Sequence, residues 1–80
     1  MDKVKIQENT DKLIDFVCRK FEAGELDNDS LVELFKLSGD YLNLKTISLY
    51  AKDNNMSYEG VKKCRKIEEI HGVKYVIDND

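Results

Sequence analysis

The sequence predicts a mainly α, α+β protein, with helices first and a β-hairpin last. Three observations predict this. Apolar residues recur at steps of three and four along the first half of the chain, the period of an α-helix. Proline, the strongest helix breaker, is absent from all 80 residues. The segment "IEEIHGVKYVID" alternates about His71-Gly72, a two-residue turn candidate.

The elements follow in chain order. Ile6, Thr10, Leu13, Ile14, Val17 and Phe21 form one stripe of a first helix, and Gly24 is placed to stop it. The acidic linker "ELDND" comes next. "SLVE" has the form of a capping box, Ser30 with Glu33 three residues on, and predicts that a second helix starts near Ser30. Its stripe is Leu31, Leu34, Phe35, Ser38, Tyr41 and Leu42. Gly39 weakens that helix by up to ~1 kcal/mol relative to alanine, which suggests a second backbone packed against it. Asn43 to Lys45 reads as a short extended link. Thr46 is a cap for a third helix from Ile47 to about Asn54. A turn at Asn54, Asn55 and Met56 leads to a fourth helix, Ser57 to Lys66. In the tail, pairing Ile70 with Val73 sets Glu69 opposite Lys74, an opposite-charge cross-strand pair. Val73, Tyr75 and Ile77 are then expected to cover the helices. Tyr41, Tyr50 and Tyr75 read as core or core-edge residues.

Composition limits the function classes. A chain this short buries only about 60% of its unfolded surface, which leaves little room for a deep catalytic cleft. Hydrophobic residues make up 41% of it and charged residues 36%, a balance that argues against disorder. No apolar run approaches the ~20 residues of a membrane span. "MDKVKIQENTDKL" has no apolar h-region of a secretory signal, so the expected location is cytoplasmic. Cys18, Cys64 and His71 offer no zinc spacing, and both cysteines read as small buried apolar residues. No nucleophile, base and orienting group can be assembled, and the four glycines are scattered rather than forming a phosphate loop. Neither enzyme activity nor a cofactor, metal or small-molecule ligand is expected.

The middle of the chain carries a specific spacing. Two short helices joined by a tight turn need a small residue at their crossing, and Ala51 supplies it. Four residues later the turn needs a left-handed backbone, which Asn55 tolerates. Ser57 caps the second helix, and Met56, Val61 and Cys64 are its inward stripe. This is the spacing of a helix-turn-helix. With the hairpin following directly, "TISLYAKDNNMSYEGVKKCRKIEEIHGVKYVID" resembles the winged helix-turn-helix domains of the MerR and phage-excisionase type, and "GVKYVID" resembles their second wing strand. The resemblance covers residues 44–78. Asn54, where such domains usually have an apolar residue, and Asn55, where they usually have glycine, depart from it. So do Glu68 and Glu69 at the start of the wing. Residues 3–43 carry no family signature.

The resemblance implies a DNA-binding role for the face left over. Lys62, Lys63, Arg65 and Lys66 place four cations in five residues of an otherwise acidic chain, which holds 16 Asp and Glu against 13 Lys and Arg. Residues 1–44 carry a net charge of −4 and residues 45–80 a net of +1. With Val61 and Cys64 inward, Ser57, Tyr58, Glu59, Lys62, Lys63 and Lys66 would form the outer face of a recognition helix. The lysines suit phosphates or guanine edges, Tyr58 a phosphate or a thymine methyl, and Glu59 cytosine N4. Arg65, Lys52 and Lys74 suit backbone phosphates. The bland alternatives are a solvated helix end favoured by the dipole for the cations, and a first-turn acid for Glu59.

The expectation is therefore a single domain, 1–80: a helix-turn-helix with a C-terminal β-hairpin wing and two additional N-terminal helices. Its expected partner is double-stranded DNA, and its role that of a small bacterial or phage transcriptional regulator or an excisionase-like recombination accessory factor. The first helix and the acidic half are candidates for a homodimer contact, which would space half-sites about 34 Å apart. The rival expectation is a protein–protein interaction module on the same scaffold, without DNA binding.

Overall fold

The computed structural model of the protein describes residues 2–79. It is α+β, mainly helical, with a small three-stranded antiparallel sheet. Helices α1 (Lys3–Glu22) and α2 (Asn28–Leu42) precede strand β1 (Lys45–Thr46). Helices α3 (Ile47–Asp53) and α4 (Tyr58–Cys64) follow, then strands β2 (Lys66–Ile70) and β3 (Val73–Ile77). Two units can be distinguished, residues 1–34 and 35–80, and the division falls within α2.

In the first unit, the Asp2 carboxylate caps α1 by accepting the Lys5 amide at 2.8 Å. The helix ends at Ala23, and Gly24 follows at φ +77°, the left-handed stop expected there. The start of α2 differs from expectation. The cap is Asp27 rather than Ser30. The Ser30 amide donates to the Asp27 carboxylate at 2.9 Å, and the Asp27 amide donates back to the Ser30 hydroxyl at 3.3 Å. Ser30 is thus the answering half of a capping box, and the helix begins three residues sooner. A carboxylate suits that place because it also meets the positive end of the helix dipole. The amide and hydroxyl of Ser30 together hold the Asp27 carboxyl below its usual range.

In the second unit, the core is Ile47, Tyr50 and Ala51 of α3, Val61 of α4 and Val76 of β3, with Met56 and Ile67 packed against them. Local chemistry explains the frame. Thr46 ends β1 and caps α3, its hydroxyl accepting the Leu49 amide at 3.2 Å. Asn55 adopts φ +51°, and the Met56 amide returns to the Ala51 carbonyl at 2.9 Å, which closes the turn between α3 and α4. Ser57 caps α4 through the Gly60 amide at 3.0 Å. His71 and Gly72 both have positive φ, the geometry of a tight hairpin turn. Ile70 pairs with Val73 and Glu69 with Lys74, the expected register, and β3 lies centrally between β1 and β2.

Several expectations are corrected. The buried residue of β3 is Val76, fully buried, whereas Val73 is 43% exposed. Val76 pairs with Ile67 on one side and Lys45 on the other, so alternation turns Val73, Tyr75 and Ile77 to the opposite face. Helix α4 stops at Cys64 instead of running to Lys66. Arg65 is already extended, and Lys66 begins β2, which brings Ile67 opposite Val76. Cys64, in the last turn of so short a helix, is exposed, and so is Cys18. Tyr41 is exposed on the last turn of α2. No backbone crowds Gly39: a Cβ there would meet only the Leu44 side chain, at an ordinary 3.8 Å.

Candidate functional site

The candidate site is the surface built by α4, the first turn of α3 and the hairpin turn. Val61 anchors α4 in the core, and its position dictates which residues are left outside. Ser57, Tyr58, Glu59, Lys62 and Lys63 are all exposed on α4 or at its cap. Lys62 lies over the Tyr58 ring, its ammonium 5.8 Å from the centroid, so the two side chains present one aromatic and cationic patch. The Ser57 hydroxyl is engaged as a cap, and its role in the fold is therefore definite. Lys66 is exposed at the first residue of β2, one residue past the helix cap.

Arg65 is different from its neighbours. Its Nε donates to the Tyr50 hydroxyl at 2.7 Å, and that hydroxyl is 3.2 Å from the Asp78 carboxylate. Its guanidinium also lies over the Tyr50 ring, 5.7 Å from the centroid. The four-cation cluster thus separates into three exposed lysines and one arginine committed to α3 and the end of β3. Lys52 is exposed in the last turn of α3. Lys74 is exposed on β3 directly opposite Glu69, which offsets its charge locally. Lys45 pairs with Asp53 at 2.8 Å and ties β1 to the end of α3.

No protein-family model, curated protein or solved structure matches this chain.

Beside the lysines, an open groove of about 400 Å³ is lined by Thr46, Ile47, Ser48, Tyr58, Gly72, Val73 and Lys74. It draws Tyr58 and Lys74 together from sites 16 residues apart in sequence. It also brings in the hydroxyl residues Thr46 and Ser48, which the sequence reading did not assign to the site. In the sequence Thr46 reads only as a helix cap, and the hairpin was expected to flank the helix from Ser57, so nothing local pointed to this pair. What the surface offers chemically is hydroxyls, one phenol, several ammonium groups and a close glycine backbone. Those are donors for an anionic, extended ligand. Among the described residues, no three His, Cys, Asp or Glu side chains converge as a metal site, and no helix is long and apolar enough to cross a membrane.

Proposed function

We propose that residues 44–78 form a winged helix-turn-helix and that the protein binds double-stranded DNA. In this reading α4 enters the major groove, and Tyr58, Glu59, Lys62 and Lys63 face it. Lys66, Lys52 and Lys74 meet phosphates on either side, and the β2–β3 hairpin is the wing. The groove between α4 and the hairpin turn would receive the sugar–phosphate strand that separates the two DNA grooves. A small transcriptional regulator or an excisionase-like accessory factor fits such a module. One observation carries the reading. Packing Ala51 and Val61 inward about the left-handed Asn55 leaves Lys62, Lys63 and Lys66 exposed, although the chain as a whole is acidic. Among the described residues none of these three lysines is in a salt bridge, and exposed lysines on one surface suit phosphate. The resemblance to MerR and excisionase domains supports the same reading.

A salt titration tests it. Random-sequence duplex DNA is titrated with the protein at several salt concentrations. Log K should fall with log salt by about 0.9 per phosphate contacted. Replacing Lys62, Lys63 and Lys66 by alanine should flatten that slope by two to three contacts. Absence of binding at low salt would overturn the proposal and leave the protein–protein interaction module.

A further inference from the structure

The first unit lacks a core of its own. Neither α1 nor α2 contributes a buried side chain among the described residues. On the stripe of α1, Ile6, Leu13 and Ile14 are 50%, 63% and 56% exposed, and Phe21 is open as well. A lone helix of this length is marginal in water, and most helical stability comes from packing an amphipathic face. The stripe is therefore a surface that folding energetics requires to be covered.

We propose that α1 of a second copy of this chain covers it, packed antiparallel. The stripe is self-complementary. Ile6, Thr10, Leu13, Ile14, Val17 and Phe21 are separated by steps of four, three, one, three and four, the same read from either end. A two-fold axis between Leu13 and Ile14 lays the stripe on itself. It sets Ile6 against Phe21 of the second copy, Thr10 against Val17, and Leu13 against Ile14. A patch that matches its own rotated copy is what a two-fold interface needs.

The polar groups allow this burial. The Thr10 hydroxyl donates to the Ile6 carbonyl of its own helix at 2.8 Å, so Thr10 brings no unpaired polar atom into the seam. Arg19 pairs with Asp15 along the helix and away from the stripe, and Gln7, at the edge of the stripe, bonds Asp11. Lys5, Glu8, Lys12, Asp15, Arg19 and Glu22 alternate in sign at steps of three and four on the opposite face, where water would remain.

Charge selects the direction. The amide end of α1 carries the positive pole of the helix dipole and its carbonyl end the negative pole. An antiparallel pair brings these opposite ends together. A parallel pair would set like poles together, and Lys3 against Lys3. Two helices about 30 Å long bury on the order of 1,200 Å² in total, the lower limit for a specific interface. An interface of that size is at the small end of the specific ones, so the dimer is expected to exchange with monomer.

Sedimentation velocity on the full chain, from about 5 to about 500 µM, should show a monomer becoming a dimer. The Leu13→Glu, Ile14→Glu double variant, altered only at exposed positions, should stay monomeric while the thermal transition of residues 35–80 is unchanged. Direction is read by cysteine pairing in a Cys18→Ser, Cys64→Ser background. Thr10→Cys and Val17→Cys proteins should form no disulfide dimer separately and should cross-link when mixed. A monomer at every concentration, a double variant that dimerises like its parent, or a Thr10→Cys homodimer would overturn the proposal. No nucleic acid enters these measurements, so they stand or fall separately from the DNA reading.

Discussion

Arg65 Nε donates a hydrogen bond to the Tyr50 hydroxyl at 2.7 Å, across 15 residues of sequence. Tyr50 is a core residue, and its hydroxyl in turn reaches Asp78 at 3.2 Å. One phenol therefore joins α3, the end of α4 and the residue after β3. This relationship assigns Arg65 to the fold before any ligand is considered. Tyr50→Phe, which keeps the ring and removes the hydroxyl, should destabilise the protein by about 1 kcal/mol in urea unfolding. Arg65→Ala should also lower the midpoint, through lost packing on the ring as well as the lost bond. If DNA is bound, Arg65→Ala should change the salt slope less than Lys62→Ala or Lys63→Ala does.

Val76 and Val73 test the assignment of the hairpin faces. Val76→Ala empties a fully buried site between Ile67 and α3, and should cost about 2–3 kcal/mol. Val73→Ala, at a partly exposed site, should cost less than about 0.5 kcal/mol. Chemical denaturation of the two variants measures the difference, and a larger loss for Val73→Ala would mean the strand is turned the other way.

Gly39 and Gly72 should respond in opposite directions to alanine. At Gly39 the backbone is helical and the new methyl meets only Leu44, so Gly39→Ala should stabilise α2 by up to ~1 kcal/mol. Gly72 sits at φ +80° in the hairpin turn, where a Cβ is strained although the space around it is open. Gly72→Ala should lower stability by about 1 kcal/mol. Paired melting curves check both signs.

The Asp27 cap should make the start of α2 sensitive to acid. Its carboxyl is held below the ordinary value by the amide and hydroxyl of Ser30. A carboxyl depressed in the folded state contributes fully above its unfolded value, about 4, and the contribution is lost as pH falls through the lower folded value. Amide exchange at Ser30, corrected for the intrinsic pH dependence of exchange, should therefore lose protection below about pH 4. Asp27→Asn retains a capping oxygen and should remove that pH dependence.

Much of the frame was legible in the sequence because it depends on chemistry within four residues. Thr46 and Ser57 are caps wherever a helix follows them. Asn55 accepts a left-handed turn. His71-Gly72 defines the hairpin register, and with it the pairing of Glu69 with Lys74. The stripe of α1 could be drawn for the same reason, since helical periodicity is local. Even the error at α2 was local: Asp27 and Ser30 competed for one cap, and the charged oxygen prevailed.

Other features required the tertiary structure, because they depend on residues distant in the chain. Four of the five β3 residues are apolar or aromatic, so alternation alone could not select the inward face. Pairing with Ile67 and Lys45 selected Val76. Helix α4 ends at Cys64 because Ile67 must reach Val76, and so Lys66 belongs to a strand and Cys64 to the surface. The cation cluster was visible in the sequence, but its division was not. Only the fold, by placing Tyr50 and Asp78 beside Arg65, separated that arginine from Lys62, Lys63 and Lys66.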